Sequence, residues 1–478
     1  MTKTLTAASL SAALLVFASP LALAQSAPSA LVVSTTEALR DKALAGSAAY
    51  SLLETLTTEI GPRLAGSDAE HRAAAWGVAT FKAVGLANVH TETFAVPGWT
   101  RGEERAEIVG ASPQRLVVTA LGGSVATPPD GIEADAVVFR TYQALLDAKP
   151  GALTGKIAVV IQPMPGGRDG AGYGLNYRIR GQGASEAAKR GAVGYLMRSL
   201  ATNENRAPHT GTMVYMPEFA GGGASGGKIP AAALSVIDAE QIGRLADRGA
   251  PLRLKMVLTP TVRVGATAET VVGDVVGSER PDEIVLIGGH LDSWDLGTGA
   301  IDDGAGVAIT TAAAKLIQDL PRHPRRTIRV VMFGAEEIGK AAQAFASVHA
   351  ADEPHHVIAS ECDFGAEPVY AISLPKNAAG SAWGLSFAKI VAPLGIEISA
   401  KLPRDGGADL EALKATPVAE LAQDGTHYFD LHHSAEDTLD KVKPASLDKA
   451  VAAWVSFAYL AADTDVDFRS LAAQPAVK

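Results

Sequence analysis

The sequence predicts an α/β protein with a mixed, largely parallel sheet that is flanked by helices. In the second half of the chain, short apolar stretches rich in β-branched residues end in glycines and acidic side chains, which is typical of buried parallel strands. An alanine-rich stretch at 307–320 indicates a helix between two of these strands. From about residue 112 to about residue 260 the sequence pattern changes, and short valine-rich runs alternate with glycine-rich loops. This change predicts a smaller domain inserted into the first.

The order of the elements follows from the same patterns. A chain of 478 residues has room for two or three domains. We expect a leader at 1–24, a main domain formed by 25–111 and 261–478, and an insert domain at 112–260. The other segments that indicate structure are helical material at 48–84 with a break at Gly61-Pro62, a strand at 89–96, a strand at 156–161, and a helix that leads into a strand at 185–195.

Polar motifs follow the predicted strands of the second half of the chain. Because the ligand crevice of an open α/β sheet lies beyond the carboxyl ends of its strands, we expect these motifs to converge on one site. The motifs in chain order are His290 and Asp292 after the strand 283–289, Asp302 and Asp303 in the glycine-rich loop 297–306, Glu336 and Glu337 after the strand 326–333, Glu361 and Asp363 at the end of the strand that starts at Val357, and His432 and His433 further on.

The residue types in these motifs suit a pair of zinc ions. Zinc binds imidazole nitrogen and carboxylate oxygen, and catalytic zinc sites leave one position open for water. Two-metal sites hold their ions about 3.5–4 Å apart and share the attacking oxygen. Glu336 then remains free to act as the general base that takes the proton of this shared water. The five candidate metal ligands are His290, Asp302, Glu337, Asp363 and His433.

The motifs resemble those of the co-catalytic dizinc aminopeptidases and glutamate carboxypeptidases, and in particular the plasma glutamate carboxypeptidase type. Each motif alone is a weak signal, but five in the family's order make a strong one, and the resemblance covers nearly the whole mature chain. The segments that carry it are His-x-Asp-Ser-Trp at 290–294, Ile-Asp-Asp-Gly at 301–304, Gly-Ala-Glu-Glu at 334–337, Asp363, and His-Ser-x-x-Asp-Thr at 433–438, together with 60–67 and 94–99 upstream.

The resemblance implies a zinc exopeptidase fold with a protease-associated insert domain and two zinc ions. It implies that Asp302 bridges the ions, that the other four candidates are terminal ligands, and that the peptide bond after Asp302 is cis. Asp292 is expected to hold the ring of His290 through its second nitrogen, a usual support for a metal-bound histidine. His432 stands where many relatives have a tyrosine that stabilises the oxyanion, and an imidazole N–H can do the same work.

The residues leave several functions open. The favoured function is a dizinc exopeptidase that hydrolyses terminal bonds of dipeptides or short peptides, with the aminopeptidase and the carboxypeptidase or dipeptidase as alternatives. A single-zinc glutaminyl cyclase on a related fold and a receptor-like protein without metals are further alternatives. A carboxypeptidase pairs the free carboxylate of its substrate with a cation, for which arginine is suited. The candidate arginines are Arg178, Arg180 and Arg404.

Other polar residues have simpler interpretations. Asp303 is expected to cap the helix that follows it. Glu361 either supports the metal ligands or is solvated. Cys362, the only cysteine, excludes an intrachain disulfide and is expected to be a small buried side chain. Four histidines lie in polar stretches that predict surface positions: His323, His349, His355 and His356.

Charge and the first residues bear on partners and location. The net charge of −10 makes nucleic acid an unsuitable partner. Lys3, an apolar run and Ala22-Leu-Ala24 resemble a cleavable signal peptide, so we expect a mature chain that starts at Gln25 and is periplasmic or secreted. No stretch is long enough to span a membrane. The glycine-rich tract 220–227 is expected to be a surface loop, the expected partner is a small peptide substrate, and a homodimer is left open.

Overall fold

The computed structural model describes residues 27–220, 227–249 and 251–472. The predicted leader at 1–24 and most of the glycine-rich tract at 220–227 lie outside the described residues. The strands are β1 (Ala87–Thr100), β2 (Glu104–Val109), β3 (Gln114–Leu116), β4 (Val118–Ala120), β5 (Ile132–Phe139), β6 (Ile157–Val160), β7 (Gly194–Arg198), β8 (Ala231–Leu234), β9 (Arg253–Leu258), β10 (Thr261–Val275), β11 (Arg280–His290), β12 (Arg326–Phe333), β13 (His356–Glu361), β14 (Val369–Ser373), β15 (Glu397–Ile398) and β16 (Glu420–Gln423).

Helices cover the sheets and account for the alanine-rich stretches of the sequence. The α-helices are α1 (Ala30–Leu44), α2 (Ala49–Thr55), α3 (Asp68–Val84), α4 (Tyr142–Leu146), α5 (Ala171–Lys189), α6 (Pro217–Ala220), α7 (Val236–Asp247), α8 (Ala305–Gln318), α9 (Ala341–Val348), α10 (Ala382–Val391), α11 (Tyr428–Leu431), α12 (Pro444–Ala462) and α13 (Phe468–Ala472). No helix in the described ranges combines the length and the apolar character needed to cross a bilayer.

The main sheet has five strands in the order β1-β10-β12-β11-β13. The pairings of β11 with β12 and with β13 are parallel, whereas β1 with β10 and β10 with β12 are antiparallel. The sheet is therefore mixed, and its parallel part is the part that carries the polar motifs. Because β11, β12 and β13 run in one direction, their carboxyl ends lie at the same edge, as predicted.

Helix α8 fixes the position of the loop that precedes it. All of its residues except Lys315 and Gln318 are buried, because α8 packs against the main sheet and against α2 and α12. Small alanine side chains allow this close approach, and each buried Val, Ile or Leu contributes about 1.5–3 kcal/mol of hydrophobic stabilisation. The glycine-rich segment expected to be a flexible loop ends in a buried turn at Ala300–Gly304, directly before this helix.

A second sheet of eight strands has the order β3-β2-β9-β5-β6-β7-β8-β4. It starts at Glu104, earlier than the predicted start of the insert at residue 112. Arg101 ties this sheet to the main one, since its guanidinium donates to Asp295 at 2.8 Å and to Glu104 at 2.6 Å. The second sheet is thereby held against the loop that follows β11. A small third sheet has the order β15-β14-β16.

Two of the four predicted surface histidines are buried, so that prediction was wrong for them. His349 is 5% exposed and His356 is fully buried, and their rings pack around Phe345. His349 Nε2 lies 2.8 Å from Glu92 Oε1, a carboxylate of the distant strand β1. Burial lowers the pKa of His356 to about 3, so this ring is neutral. The polar local sequence could not reveal partners supplied by a distant strand.

Candidate active site

The five side chains proposed as metal ligands converge on one point beyond the ends of β11, β12 and β13. Asp302 lies at the centre, with Oδ1 at 3.1 Å from His290 Nε2 and Oδ2 at 3.2 Å from His433 Nε2. Glu337 Oε2 lies 2.9 Å from His433 Nε2, and Asp363 Oδ1 lies 3.5 Å from His290 Nε2. Four of the five are buried and Asp363 is half-buried.

Asp302 divides this cluster into two groups and belongs to both. The ligand atoms of His290, Asp302 and Asp363 all lie within 4.8 Å of one another. On the other side, Glu337 and His433 face the second oxygen of Asp302. Asp302 Oδ2 and Glu337 Oε1 are buried without a hydrogen-bond partner in the part of the chain that the structure describes. Two orphaned carboxylate oxygens within a histidine and carboxylate cluster fit a zinc site.

His432 lies beside this cluster but is poorly placed to share an ion with His433. Both Nε2 atoms lie near Asp302 Oδ2, at 3.6 Å for His432 and 3.2 Å for His433. The two rings stack with centroids 3.5 Å apart and planes inclined by 19°. The ligand atoms of Asp302, His432 and His433 all lie within 4.8 Å of one another, but the lone pairs of rings stacked in this way lie in nearly parallel planes, which is unfavourable for binding the same ion. The side chain of His432 has no hydrogen bond to any described residue, which leaves it available as a donor in the cavity.

Asp303 holds the turn that presents Asp302. Its Oδ1 accepts from the N–H of Gly306 and its Oδ2 accepts from the N–H of His290, both at 3.0 Å. The first contact caps α8, as predicted, and the second ties this turn to the end of β11. The peptide bond between Asp302 and Asp303 is cis, as the family resemblance implied.

Asp292 contacts the second ring nitrogen of His290, as expected, and also supports the turn after β12. Its main-chain oxygen, not its carboxylate, is the partner of His290 Nδ1, at 2.9 Å. The carboxylate lies 3.7 Å from that nitrogen and accepts from the N–H groups of Glu336 at 3.0 Å and Glu337 at 3.3 Å. Asp292 therefore fixes both the ring of His290 and the backbone that carries the proposed base.

Arg63 is a supporting residue that the sequence alone did not single out. Its side chain is fully buried and donates to the main-chain oxygens of Leu291 at 2.6 Å, Thr298 at 2.7 Å and Gly299 at 3.0 Å. These carbonyls belong to the chain just after His290 and to the loop that leads to Asp302. The segment 60–67 that carried part of the family resemblance was the available signal.

Asp437 holds the same loop from the opposite side. Its Oδ1 accepts from the N–H groups of Ala300 at 2.8 Å and Ile301 at 2.7 Å. Burial, followed by the charge of Asp302, raises the pKa of Asp437 to about 7. It lies in the quoted motif at 433–438, but its function there was not predicted.

Burial dominates the electrostatics of the acidic groups. It raises the pKa values of Glu336, Glu337 and Asp363 above their usual range, and charges of neighbouring carboxylates add to this effect. Burial lowers the pKa of His290, but Asp363, Asp292 and Asp302 outweigh it and raise the pKa well above its usual value. So many buried carboxylates in one place call for positive charge.

Residues 270–458 match peptidase family M28. Carboxypeptidase Q of Bos taurus is 33% identical over 419 residues, which cover 87% of this chain and 85% of that protein. This chain belongs to peptidase family M28. A crystal structure of an M28 peptidase precursor from Shewanella amazonensis SB2B has a TM-score of 0.87 at 44% identity, covering 91% of this chain and 98% of that chain. A zinc aminopeptidase from Bacillus subtilis, at 18% identity and a TM-score of 0.62, covers 88% of this chain and 98% of its own and shares the fold.

Membership of family M28 confirms three predictions from the sequence. The recognised family is correct, the mixed α/β fold with flanking helices is correct, and the chain is a metallopeptidase. The relatives include both carboxypeptidases and aminopeptidases, since an aminopeptidase from Bacillus subtilis is 24% identical over 65% of this chain and 60% of that protein. Membership alone therefore does not decide which terminus of a peptide is recognised.

The site of this M28 peptidase opens into a cavity of about 510 Å³. Its lining includes Glu336, all of the proposed ligands except His290, and Tyr173, Tyr177 and Arg180 of α5. Of the three candidate arginines, Arg180 alone lines the cavity, while Arg178 and Arg404 are exposed elsewhere. Glu361 does not line the cavity, and its Oε2 accepts from the N–H of Asp409 at 2.8 Å.

Proposed function

We propose that this protein is a dizinc exopeptidase that hydrolyses terminal peptide bonds of dipeptides or short peptides. The observation that carries this proposal is the position of Asp302, which turns one oxygen toward each half of a cluster of five potential ligands. Glu336 lies at the edge of this cluster, with Oε2 at 4.0 Å from His290 Nε2. The pattern of one shared carboxylate and one adjacent free carboxylate is what a two-metal hydrolase requires.

The ligands would be His290 and Asp363 for one ion, Glu337 and His433 for the other, and Asp302 for both. When bound, the zinc ions supply Lewis acidity that polarises the scissile carbonyl and makes a water molecule more acidic. Glu336 takes a proton from the attacking water and delivers it to the leaving amine. A carboxylate whose pKa burial has raised is a stronger base, which suits this transfer.

His432 is proposed to stabilise the negative charge that develops on the carbonyl oxygen. Its imidazole lines the cavity and has no hydrogen bond to a described residue. Burial lowers its pKa well below the usual value, and a neutral ring still carries one N–H donor. Such donors act best when they are fixed before the charge appears, and the stack on His433 provides that fixation.

The direct test is hydrolysis of a small panel of dipeptides with the amino terminus, the carboxyl terminus or neither terminus blocked. Metal analysis of the purified protein separates the alternatives named from the sequence. Two zinc ions per chain support the peptidase, one ion supports a glutaminyl cyclase, and none supports a receptor-like protein. The presence of all five candidate ligands together with Glu336 favours the peptidase.

Location and assembly belong to the same proposal. We propose that residues 1–24 form a signal peptide and that the enzyme works in the periplasm or outside the cell. Amino-terminal sequencing of the exported protein should then begin at Gln25. We further propose that the region predicted at 112–260, whose sheet begins at Glu104, is a protease-associated insert. Sedimentation of the pure enzyme tests whether it forms a homodimer.

A further inference from the structure

His432 and His433 are the two central residues of one β-turn. The N–H of Ser434 donates to the main-chain oxygen of Leu431 at 3.1 Å and closes this turn. His432 has a φ of −44° and a ψ of 126°, and His433 has a φ of +60°. These angles are those of a type II turn, whose third residue needs a positive φ and is usually glycine or asparagine. A histidine is uncommon at such a position, so the contacts around the turn have to hold it there.

The peptide unit between His432 and His433 distinguishes this turn from the commoner type I turn. In type I the third residue has a negative φ, and the two dihedral angles that flank this peptide differ from those of type II by about 150–170°. A change to type I would turn the carbonyl of His432 to the opposite side, and the imidazole of His433 would leave the main chain in a different direction. A group that binds this carbonyl therefore helps to fix both rings.

His209 lies against this peptide from the side of the second sheet. It is 2% exposed, and burial lowers the pKa of its imidazole to about 3, while the nearby main-chain oxygen of His432 acts in the opposite direction. Neither ring nitrogen has a hydrogen bond of ordinary geometry with a described residue. A neutral imidazole carries one N–H donor, and a buried donor without a partner is costly. The carbonyl of His432 is the acceptor that this donor needs.

The main chain around His209 is attached to the same turn. The N–H of His209 donates to Oγ of Ser199, just beyond the end of β7, at 2.8 Å. The next residue, Thr210, donates its N–H to the main-chain oxygen of His433 at 2.9 Å, and its own oxygen lies 3.3 Å from Nδ1 of His433. The residue with the positive φ is therefore held in place by the neighbour of His209.

The short helix before the turn is held by the same segment. The N–H of Thr202 donates to the main-chain oxygen of Phe429 at 3.3 Å, and its hydroxyl donates to Oδ1 of Asp430 at 2.7 Å. The segment 199–210 thus follows the chain from Phe429 to His433, and His209 supplies the side chain that faces the central peptide of the turn.

We propose that His209 is a positioning residue of the active site, whose ring N–H donates to the main-chain oxygen of His432 and holds the type II turn that aims His432 and His433. This inference rests on the proposed peptidase function, in which His432 stabilises the oxyanion and His433 binds an ion. His209 does not line the cavity. Its loss should therefore act through the turn, on the chemical step and on the arrangement of the metal ligands, and should spare substrate binding.

The test replaces His209 by phenylalanine, which keeps a ring but removes the donor, and by asparagine or glutamine, whose amide N–H can take the place of Nδ1–H or Nε2–H. Loss of an oxyanion donor costs about 10²–10³ in kcat, so a displaced donor in His209→Phe should lower kcat on a dipeptide by about ten- to hundredfold, with KM within about threefold of the wild type. One of the two amide variants should recover most of kcat.

The matched control is His356→Phe. His356 is also fully buried, its pKa is also lowered to about 3, and its ring nitrogens also lack hydrogen-bond partners among the described residues. It packs near Phe345 and does not line the cavity. His356→Phe should therefore keep the wild-type kcat, which separates the effect on the turn from the general cost of replacing a buried histidine.

A second readout does not depend on turnover. With cobalt(II) in place of zinc, the visible absorption bands report the arrangement of the ligands, and His209→Phe should shift these bands while His356→Phe should not. A wild-type kcat or wild-type bands in His209→Phe would overturn the inference, and so would a loss of kcat that neither amide variant recovers, because the ring would then act by packing alone.

The amide variants decide the question alone if His209→Phe does not fold. One variant with near wild-type kcat then supports the inference, and two impaired variants overturn it. If the wild type hydrolyses no dipeptide, the proposed function itself fails, and the cobalt spectra still show whether His209 holds the turn.

Discussion

The hydroxyl of Thr212 donates a hydrogen bond of 2.7 Å to the main-chain oxygen of Glu337. Two residues earlier, the N–H of Thr210 donates to the main-chain oxygen of His433 at 2.9 Å. A short segment that precedes α6 therefore fixes the backbone of both proposed ligands on one side of Asp302. The half of the site formed by Glu337 and His433 depends on contacts that come from outside the main sheet.

Replacing Thr212 by valine should weaken that half of the site. The change keeps the shape of the side chain and removes one hydrogen bond, which costs about 1 kcal/mol. We expect a lower melting temperature and weaker binding of one zinc ion, measured by thermal unfolding and by competition with a chelator. Thr91→Val is the matched control, because Thr91 is an exposed strand residue. Unchanged zinc affinity in Thr212→Val would show that the hydrogen bond from Thr212 to Glu337 does not support metal binding.

Replacing Glu336 by glutamine should stop the chemistry and spare binding. General acid and base catalysis contributes about 10²- to 10⁴-fold, so kcat should fall by that factor while KM and zinc content stay near the wild-type values. Steady-state kinetics and metal analysis on the same preparation measure both. The exposed Glu411→Gln serves as the control. A variant with normal kcat would mean that another group is the base.

The wild type should bind two zinc ions, and Asp302→Asn should disturb both, because Asp302 faces each half of the cluster. Removal of zinc by a chelator should lower stability as well as activity. A ligand at about 1,000 times its dissociation constant stabilises a folded protein by about 4 kcal/mol. Metal analysis gives the number of zinc ions per chain, and thermal unfolding with and without zinc gives the stabilisation by the metal. Loss of only one ion in Asp302→Asn would argue against a shared carboxylate.

Glu70 should make stability depend on pH. Its side chain is fully buried in α3, and burial raises its pKa to about 8 although the N–H of Glu269 donates to it at 2.8 Å. The unfolded chain releases this proton near the ordinary pKa of about 4.3. Between these values the folded state binds more protons, so stability should fall as pH rises, by at most about 1.4 kcal/mol per pH unit.

Glu70→Gln should remove this part of the slope. The free energy of unfolding of Glu70→Gln minus that of the wild type should be larger at pH 8 than at pH 4. Denaturant unfolding across that pH range measures this difference. Glu54→Gln, at an exposed helical position, should keep the wild-type slope. Parallel curves for wild type and Glu70→Gln would show that Glu70 does not hold its proton in the folded state.

Arg63→Met should be strongly destabilising. Among the described residues, Arg63 is the only charged donor to the buried carbonyls of Leu291 and Thr298, and the change removes it, whereas the carbonyl of Gly299 keeps the N–H of Gly304 at 3.0 Å. Each buried carbonyl that loses its partner costs about 1–3 kcal/mol. We expect a loss of about 3 kcal/mol or more in denaturant unfolding, together with weaker zinc binding. The exposed Arg72→Gln, from helix α3, should be neutral.

The sequence was sufficient to predict the parts of this molecule that local pattern determines. The strand at Arg326–Phe333 has the predicted bounds, and the ligands at the ends of β11, β12 and β13 meet because parallel strands share an edge. It was insufficient wherever a contact spans the chain. The burial of His349 depends on Glu92, and the function of Arg63 depends on carbonyls more than two hundred positions away. No local periodicity encodes such pairs.

Trp294, only four positions after the first proposed ligand, inserts its ring against the backbone of Gly122, where a Cβ would lie 2.0 Å from the indole. The same ring lies 5.8 Å from that of His433. The contact between the second sheet and the main sheet therefore includes the loop that follows β11 and carries Trp294. A chimaera in which the second sheet is exchanged to alter substrate choice must therefore keep glycine at position 122. Any larger residue there would displace the indole of Trp294 and remove its contact with His433.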